Sequence, residues 1–342
     1  MPADLGQDSP NPTRLLIYEP SFRAAQDAIL DHAGSIQLVL LHPDGQLSLT
    51  GRAVSAEDAS PHIAWASGEM FESPVARKFL AAMLNSPRLD WVQSGAAGFD
   101  HPLFAQIIAK GARLTTSHGQ SVGMADYVLA GVLDHFQRGP ARRAAQAERN
   151  WRRVPFREVA GSVWLVVGFG AIGQEVAKRA RAFGARIHGV RRDPAPHALA
   201  DEILSLEAMT SHLPEADVVV LCLPASRATR GLADAGFFEV MKPGSVLVNV
   251  GRGALVDEAA LLRGLDRGTP EHAVLDVFQI EPLTQDSPFW AHPCVTLTGH
   301  TSGNTLGQKA RNQALFIDNL DRFLRGAALI GEVDPKDVLD AS

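Results

Sequence analysis

Three polar side chains stand just past the ends of three short apolar runs. Arg252 follows Val246–Val250 in GRG, Glu281 follows Ala273–Val277 in FQIEP, and His300 follows Val295–Thr298 in GHTSG. A guanidinium can hold a carboxylate through two parallel bonds and polarise a neighbouring carbonyl. An imidazole near neutral pH can take a hydroxyl proton or return one. A carboxylate beside that imidazole fixes the ring and favours its protonated form. Together the three suit hydride transfer on a small hydroxy or keto acid, provided that a hydride carrier sits nearby. Each also has a plainer reading: a surface arginine, a capping glutamate, one core histidine among twelve. Their succession at strand ends favours chemistry. Asp276, inside the apolar run AVLDVF, must find donors, either as an acceptor for a cofactor amide or as a structural anchor. No metal-ligand spacing stands out, and no Ser or Cys sits in a nucleophile motif, so no metal is expected.

A hydride carrier needs a cradle, and residues 161–173 supply one. They read GSVWLVVGFGAIG: an apolar run stops at Gly168, and Gly170 and Gly173 complete the spacing GxGxxG. Helical periodicity follows over Gln174–Phe183. In this context Gly168 permits a tight turn, Gly170 lets a pyrophosphate approach the backbone, and Gly173 lets the helix pack close to the strand. The helix start offers amides and partial positive charge. Gly168, Gly170, Ala171, Ile172 and Gly173 are therefore candidate dinucleotide contacts. The next strand, RIHGVR, ends on Arg191-Arg192, where NAD sites place an acidic residue on the ribose 2′-hydroxyl. Guanidinium groups pair instead with a 2′-phosphate, so NADP(H) is expected over NAD(H), which stays possible. Asp193 dissents, because a small register shift makes it the ribose ligand; a solvated Arg pair is the plainer reading.

The elements that must position these residues fill a chain of 342 residues, 46% hydrophobic, long enough for two domains. A formal charge of −6 disfavours nucleic acid or an anionic membrane as partner. No apolar run approaches membrane-spanning length. Cys222 and Cys294 read as reduced core residues of a cytoplasmic protein. Residues 1–13, polar and proline-rich, read as a disordered lead. From Arg14 to about residue 116, strands alternate with helices, and Leu47–Leu49 reads as a hairpin partner. A second alternation, from 161 to 298, has five or six strands and a helix near Leu204–Ser211. A closing helix is expected over Gln308–Leu324, then a loose acidic tail after Gly331. The basic connector Gly139–Arg157, with Trp151, reads as an exposed arm or a subunit contact. Alternation of this kind makes parallel sheets covered on both faces, with ligands beyond the carboxyl ends of the strands.

The pieces VGFGAIG, LCLPASRATRGL, VNVGRGALVDEAAL, LDVFQIEPL, SPFW and TGHTSG, in that order, resemble the D-specific 2-hydroxyacid dehydrogenases. The resemblance is strong over 161–303 and weak up to about residue 90. It implies an α/β fold of two doubly wound parallel-sheet domains, Rossmann-like and flavodoxin-like, with a cleft between them. The substrate domain would take 14–117 plus 304–334, and the NAD(P)-binding domain 118–303. It implies that Arg252, Glu281 and His300 are the catalytic set, Arg252 and His300 touching substrate. It implies that Ala97 and Gly98, in SGAAGFD, hold the substrate carboxylate through backbone amides, although that loop by itself reads as a tight turn. Further cofactor contacts are implied at Pro224, Thr229, Val250, Asp276 and Gly303, and a homodimer with Val122–Arg157 at its interface.

Some residues depart from the family pattern. Arg191 stands where many members carry Asp, which points to the NADP-preferring glyoxylate and hydroxypyruvate reductases. Ala125-Asp126 replaces the usual Ala-Glu, altering a local hydrogen bond, and Gly299 replaces a common Pro, loosening the loop before His300. The chain leaves no room for the C-terminal regulatory domain of the longer phosphoglycerate dehydrogenases. Two other functions share the scaffold: a dinucleotide-sensing, co-repressor-like binding protein, and a dehydrogenase of another small anion such as formate or phosphite. The segments 65–71 and 94–99 are the candidate side-chain pocket, where Trp65, Met70 and Phe71 serve either an apolar substrate group or the core.

Overall fold

The computed structural model describes residues 12–341, so most of the polar lead over 1–13 lies outside the described residues. The chain divides into two compact units: one takes the chain up to Gly119 together with Lys309–Asp340, the other Gln120–Gln308. No helix among the described residues is long and apolar enough to cross a membrane.

The first unit has seven strands: β1 (Thr13–Tyr18), β2 (Ile36–Leu41), β3 (Leu47–Leu49), β4 (Arg52–Val54), β5 (Ile63–Ala66), β6 (Trp91–Ser94) and β7 (Arg113–Thr115). Their order is β4-β3-β2-β1-β5-β6-β7. β1 pairs in parallel with β2 and β5, whereas β3 and β4 return as antiparallel hairpin strands, so the sheet is mixed at that edge. The helix Gln308–Leu324 completes this unit from the far end of the sequence. Its Phe316, fully buried, stacks on Trp65 at 4.2 Å between ring centroids and on Trp91 at 5.9 Å. The tail expected to be loose is ordered. Pro335–Ala341 is a helix, Val338 is fully buried, and Glu332 makes a two-pronged ion pair with Arg113 at 2.6 and 2.7 Å. One buried valine among polar neighbours leaves almost no trace in composition, which reads the solvated face only.

The second unit has seven parallel strands: β8 (Val163–Val167), β9 (Arg186–Val190), β10 (Glu202–Leu204), β11 (Val218–Leu221), β12 (Val246–Asn249), β13 (His272–Leu275) and β14 (Val295–Leu297). Their order is β10-β9-β8-β11-β12-β13-β14, so the direction of winding reverses between β8 and β11. β8, β11, β12 and β13 are buried along their whole length, as near-continuous Val/Leu runs between two helical layers should be. The helix expected near Leu204–Ser211 does not form. Ile203 and Leu204 instead pair with Gly189 and Val190, extending the sheet, and a 3₁₀ segment follows over Met209–Glu215. Pro214 lacks the amide that a longer α-helix there would need.

At the amino ends of β8 and β11, buried Asp217 accepts bonds from the Val163 amide, the Lys242 ammonium and the Arg157 guanidinium. Burial raises its pKa, but those partners outweigh the effect and hold the carboxyl below its ordinary range. Of the basic connector, Gly139–Ala147 is a helix and Trp151 stands 99% exposed.

Candidate active site

β12, β13 and β14 are neighbours, and Arg252, Glu281 and His300 follow their carboxyl ends. Asn249, the last residue of β12, clasps the first loop from both sides: its Oδ1 accepts the Gly251 amide at 3.1 Å and its Nδ2 donates to the Arg252 carbonyl at 3.0 Å. Arg252 then precedes a 3₁₀ turn, Gly253–Leu255, and its Nη1 donates to the Gly251 carbonyl at 2.8 Å. Gly253 lies so close to the following loop that a Cβ there would stand 1.9 Å from the Phe278 carbonyl carbon. The Arg252 turn and the segment carrying Glu281 are therefore in backbone contact.

Glu281 is itself held, its Oε1 accepting the Phe278 amide at 2.9 Å. Its Oε2 lies 2.7 Å from His300 Nδ1. Because a carboxylate only accepts, Nδ1 carries the proton and Nε2 is left for chemistry. About half of the His300 side chain is accessible. Its φ of +55° is left-handed, and the position is secured by its amide donating to the Asp276 carbonyl at 2.8 Å.

Asp276, 1% exposed, organises the same loop. It accepts from the Thr301 amide at 2.8 Å, the Ser302 amide at 3.1 Å and the Thr298 hydroxyl at 2.6 Å. Thr298 Oγ1 also lies 2.9 Å from the Tyr127 hydroxyl. Of the two readings of Asp276, the anchoring one is seen directly. Asn249 and Tyr127 were not singled out from the sequence; an Asn closing the strand VLVN, and one of only two tyrosines, were the available signals.

The glycine turn sits at the reversal point of the sheet. Gly168 has φ +103°, and a Cβ there would meet the Cys222 carbonyl carbon at 2.8 Å; a Cβ on Gly173 would meet the Gly168 oxygen at 2.3 Å. These two glycines are required by the turn and the close helix approach. A Cβ on Gly170 would meet nothing within 4 Å, so packing does not explain that glycine. The helix Ala171–Ala182 starts there without a side-chain cap. A pyrophosphate fits both facts: it needs close approach and bare helix-start amides. Burial pushes the neighbouring Cys222 thiol up to about 12, so Cys222 is inert packing.

β9 ends at Val190, which puts Arg191 and Arg192 first in the following loop. Arg191 donates to the carbonyls of Asp193 and Ala195 at 2.5 and 2.7 Å, and the Asp193 side chain accepts the Ala195 amide at 3.2 Å. Asp193 is thus committed to its own turn. Thr229 accepts the Ser226 amide at 2.8 Å and donates to the Pro224 carbonyl at 2.9 Å, closing the loop after β11. Val250 is buried. Gly303 lies against Gln120, and Gln120 Oε1 and Ser302 Oγ are buried polar atoms without a partner. A carboxamide offers the donor and acceptor that such a pair needs.

Ala97 and Gly98 follow β6 in the first unit, both partly exposed. Trp65 and Met70 are buried and belong to the core, while Phe71 is 37% exposed. Asp126 pairs with Arg179 of the helix after the glycine turn at 2.6 Å.

A glycine turn at the switch point of a doubly wound parallel sheet defines a dinucleotide-binding class of fold. Residues 129–302 match the profile described as D-isomer specific 2-hydroxyacid dehydrogenase, NAD binding domain, and the chain belongs to the D-isomer specific 2-hydroxyacid dehydrogenase family. A family protein from Aeromonas salmonicida subsp. salmonicida A449 is 30% identical with a TM-score of 0.73, covering 95% of this chain and 99% of that one. A D-isomer specific 2-hydroxyacid dehydrogenase from Xanthobacter autotrophicus Py2, solved with NADPH and MES, is 28% identical with a TM-score of 0.77, covering 96% and 99%. Glyoxylate/hydroxypyruvate reductase A from Serratia proteamaculans is 32% identical over 195 residues, 57% of this chain and 62% of that protein. The chain therefore spans less than two thirds of that curated relative.

Proposed function

We propose that this protein reduces small 2-keto acids, glyoxylate or hydroxypyruvate first among them, with NADPH preferred over NADH. The observation that carries the reading is the 2.7 Å bond between His300 Nδ1 and Glu281 at adjoining strand ends, beside the Arg252 turn. The bound nicotinamide supplies the hydride. His300 gives the proton from Nε2 to the forming alkoxide, and Glu281 holds the ring through Nδ1. Arg252 pairs with the substrate carboxylate and draws electron density from the carbonyl. The Ala97 and Gly98 amides are proposed to hold that carboxylate as well. Gly168–Gly173 would hold the pyrophosphate, Thr229 and Pro224 the adjoining ribose side, and Asp276, Val250 and Gly303 the nicotinamide end.

The NADPH preference rests on two arginines at the end of β9 and on the Asp193 carboxylate accepting the Ala195 amide of its own turn. The relative solved with NADPH and MES is in keeping with it. A homodimer is proposed through the 139–157 segment, where Trp151 and Phe156 are exposed; light scattering tests it.

The enzymatic test is NADPH oxidation over a panel of keto acids. We expect turnover with glyoxylate or hydroxypyruvate, and kcat/KM about tenfold or more higher with NADPH than with NADH. H300A should lose turnover by at least ~10²-fold while still binding NADPH. Nucleotide binding without turnover on any acid would leave only a dinucleotide-sensing role; equal rates in H300A would remove His300 from the mechanism.

A further inference from the structure

Away from the catalytic loops, β9, β10 and the 3₁₀ segment bring together His188, Glu202 and His212, each offering one ligand atom within 4.8 Å of the others. His188 and Glu202 are register partners on the adjacent parallel strands, so their side chains share a face. His212 comes over that face from Met209–Glu215, its ring edge-on to His188 at 5.5 Å. In sheet order β9 lies four strands from β13, about 19 Å at the usual strand spacing. The cluster is therefore separate from Arg252, Glu281 and His300.

The protonation pattern points to a cation. His212 Nδ1 lies 3.2 Å from the Ala208 carbonyl, which can only accept, so Nδ1 carries a proton. Nε2 then faces the Glu202 carboxylate at 3.5 Å. In a neutral ring that contact sets a lone pair against an anion. His188 Nδ1 is buried with no partner at all. A divalent ion answers each of these demands. Tetrahedral coordination with ligand bonds of about 2.1 Å spaces the ligand atoms about 3.4 Å apart, close to the Nε2–Oε2 separation. The Ala208 carbonyl is the outer hydrogen bond that fixes a metal-binding imidazole. The side chains of His212 and Glu202 are 24% and 51% accessible, so an ion can reach them from solvent.

We propose that His188, Glu202 and His212 bind a borderline transition-metal dication, zinc being the first candidate, with water as the fourth ligand. Two imidazoles and one carboxylate disfavour magnesium and calcium, which want oxygen alone. The ion would clip edge strand β10 and its neighbour β9 to the 3₁₀ segment, so its role is structural.

The test uses full-length protein stripped with EDTA and titrated with zinc chloride, with cobalt(II) as spectroscopic probe. Wild type should take up zinc at micromolar concentration, raise its Tm and show a tetrahedral cobalt band. H212Q and E202Q change partly exposed side chains, so they guard against misfolding of H188A; each is checked by far-UV circular dichroism. H188A and H212Q should bind at least ~100-fold more weakly, lose the band and lose the Tm rise. A wild type indifferent to zinc, or variants that bind and stabilise as it does, would overturn the proposal. In the first case the site is a plain His212–Glu202 ion pair; in the second, the zinc is held elsewhere.

Discussion

His300 holds a left-handed backbone, which for a residue with a Cβ costs about 1–2 kcal/mol. The bonds that keep it there run through Asp276 and Glu281. E281Q keeps the size of the side chain but removes its charge. We expect kcat/KM for keto-acid reduction to fall about 10²-fold or more, with NADPH affinity, read by fluorescence, within about twofold of wild type. Equal loss of NADPH binding would mean that Glu281 holds the cofactor rather than the ring. The placing of Arg252, Glu281 and His300 after neighbouring strands was legible in the sequence because each follows an apolar run, and an apolar strand end is a local pattern. The work of Asp276 was not, because its donors Thr298, Thr301 and Ser302 arrive from beyond the next strand. Nothing local distinguishes such an anchor from a cofactor ligand.

At the level of elements, the glycines separate packing from ligand binding. G253A forces a Cβ to within 1.9 Å of the Phe278 backbone and should cost about 3 kcal/mol by urea unfolding, with activity lost as the Arg252 turn is pushed away. G170A has open space for its methyl, so stability should stay within about 0.5 kcal/mol while KM for NADPH rises several-fold. Unchanged KM in G170A would count against a pyrophosphate there. The spacing GxGxxG was readable because tight turns demand glycine at given positions. β10 was not, since three residues, Glu202–Leu204, are too few to show a period, and only pairing with β9 makes them a strand. His188, Glu202 and His212 were hidden for the same reason: strand pairing, with no regular spacing, gathers them.

For the whole molecule, acid sensitivity follows from buried His272, stacked on half-buried His135. Burial lowers His272 to about 4, helped by stacked His135 at 4.4 Å between ring centroids. The unfolded chain takes up that proton near 6.5, while the folded chain does not take it up until about 4. Stability is thus intact above about 6.5, declines as pH falls through that interval by about 3 kcal/mol, and levels off below it. H272Q should flatten this part of the curve, measured by urea unfolding from pH 7 to pH 4. An identical slope in H272Q would assign the acid response to other groups.

The stacking of Phe316 on Trp65 and Trp91 bears on how the protein is born. A nascent chain leaves the ribosome with both tryptophans made long before the helix that covers them, and with the entire second unit still to come. That second unit, one uninterrupted stretch, can condense while synthesis continues. The first must wait for its last fifth of sequence, its two tryptophans uncovered until the helix carrying Phe316 is made.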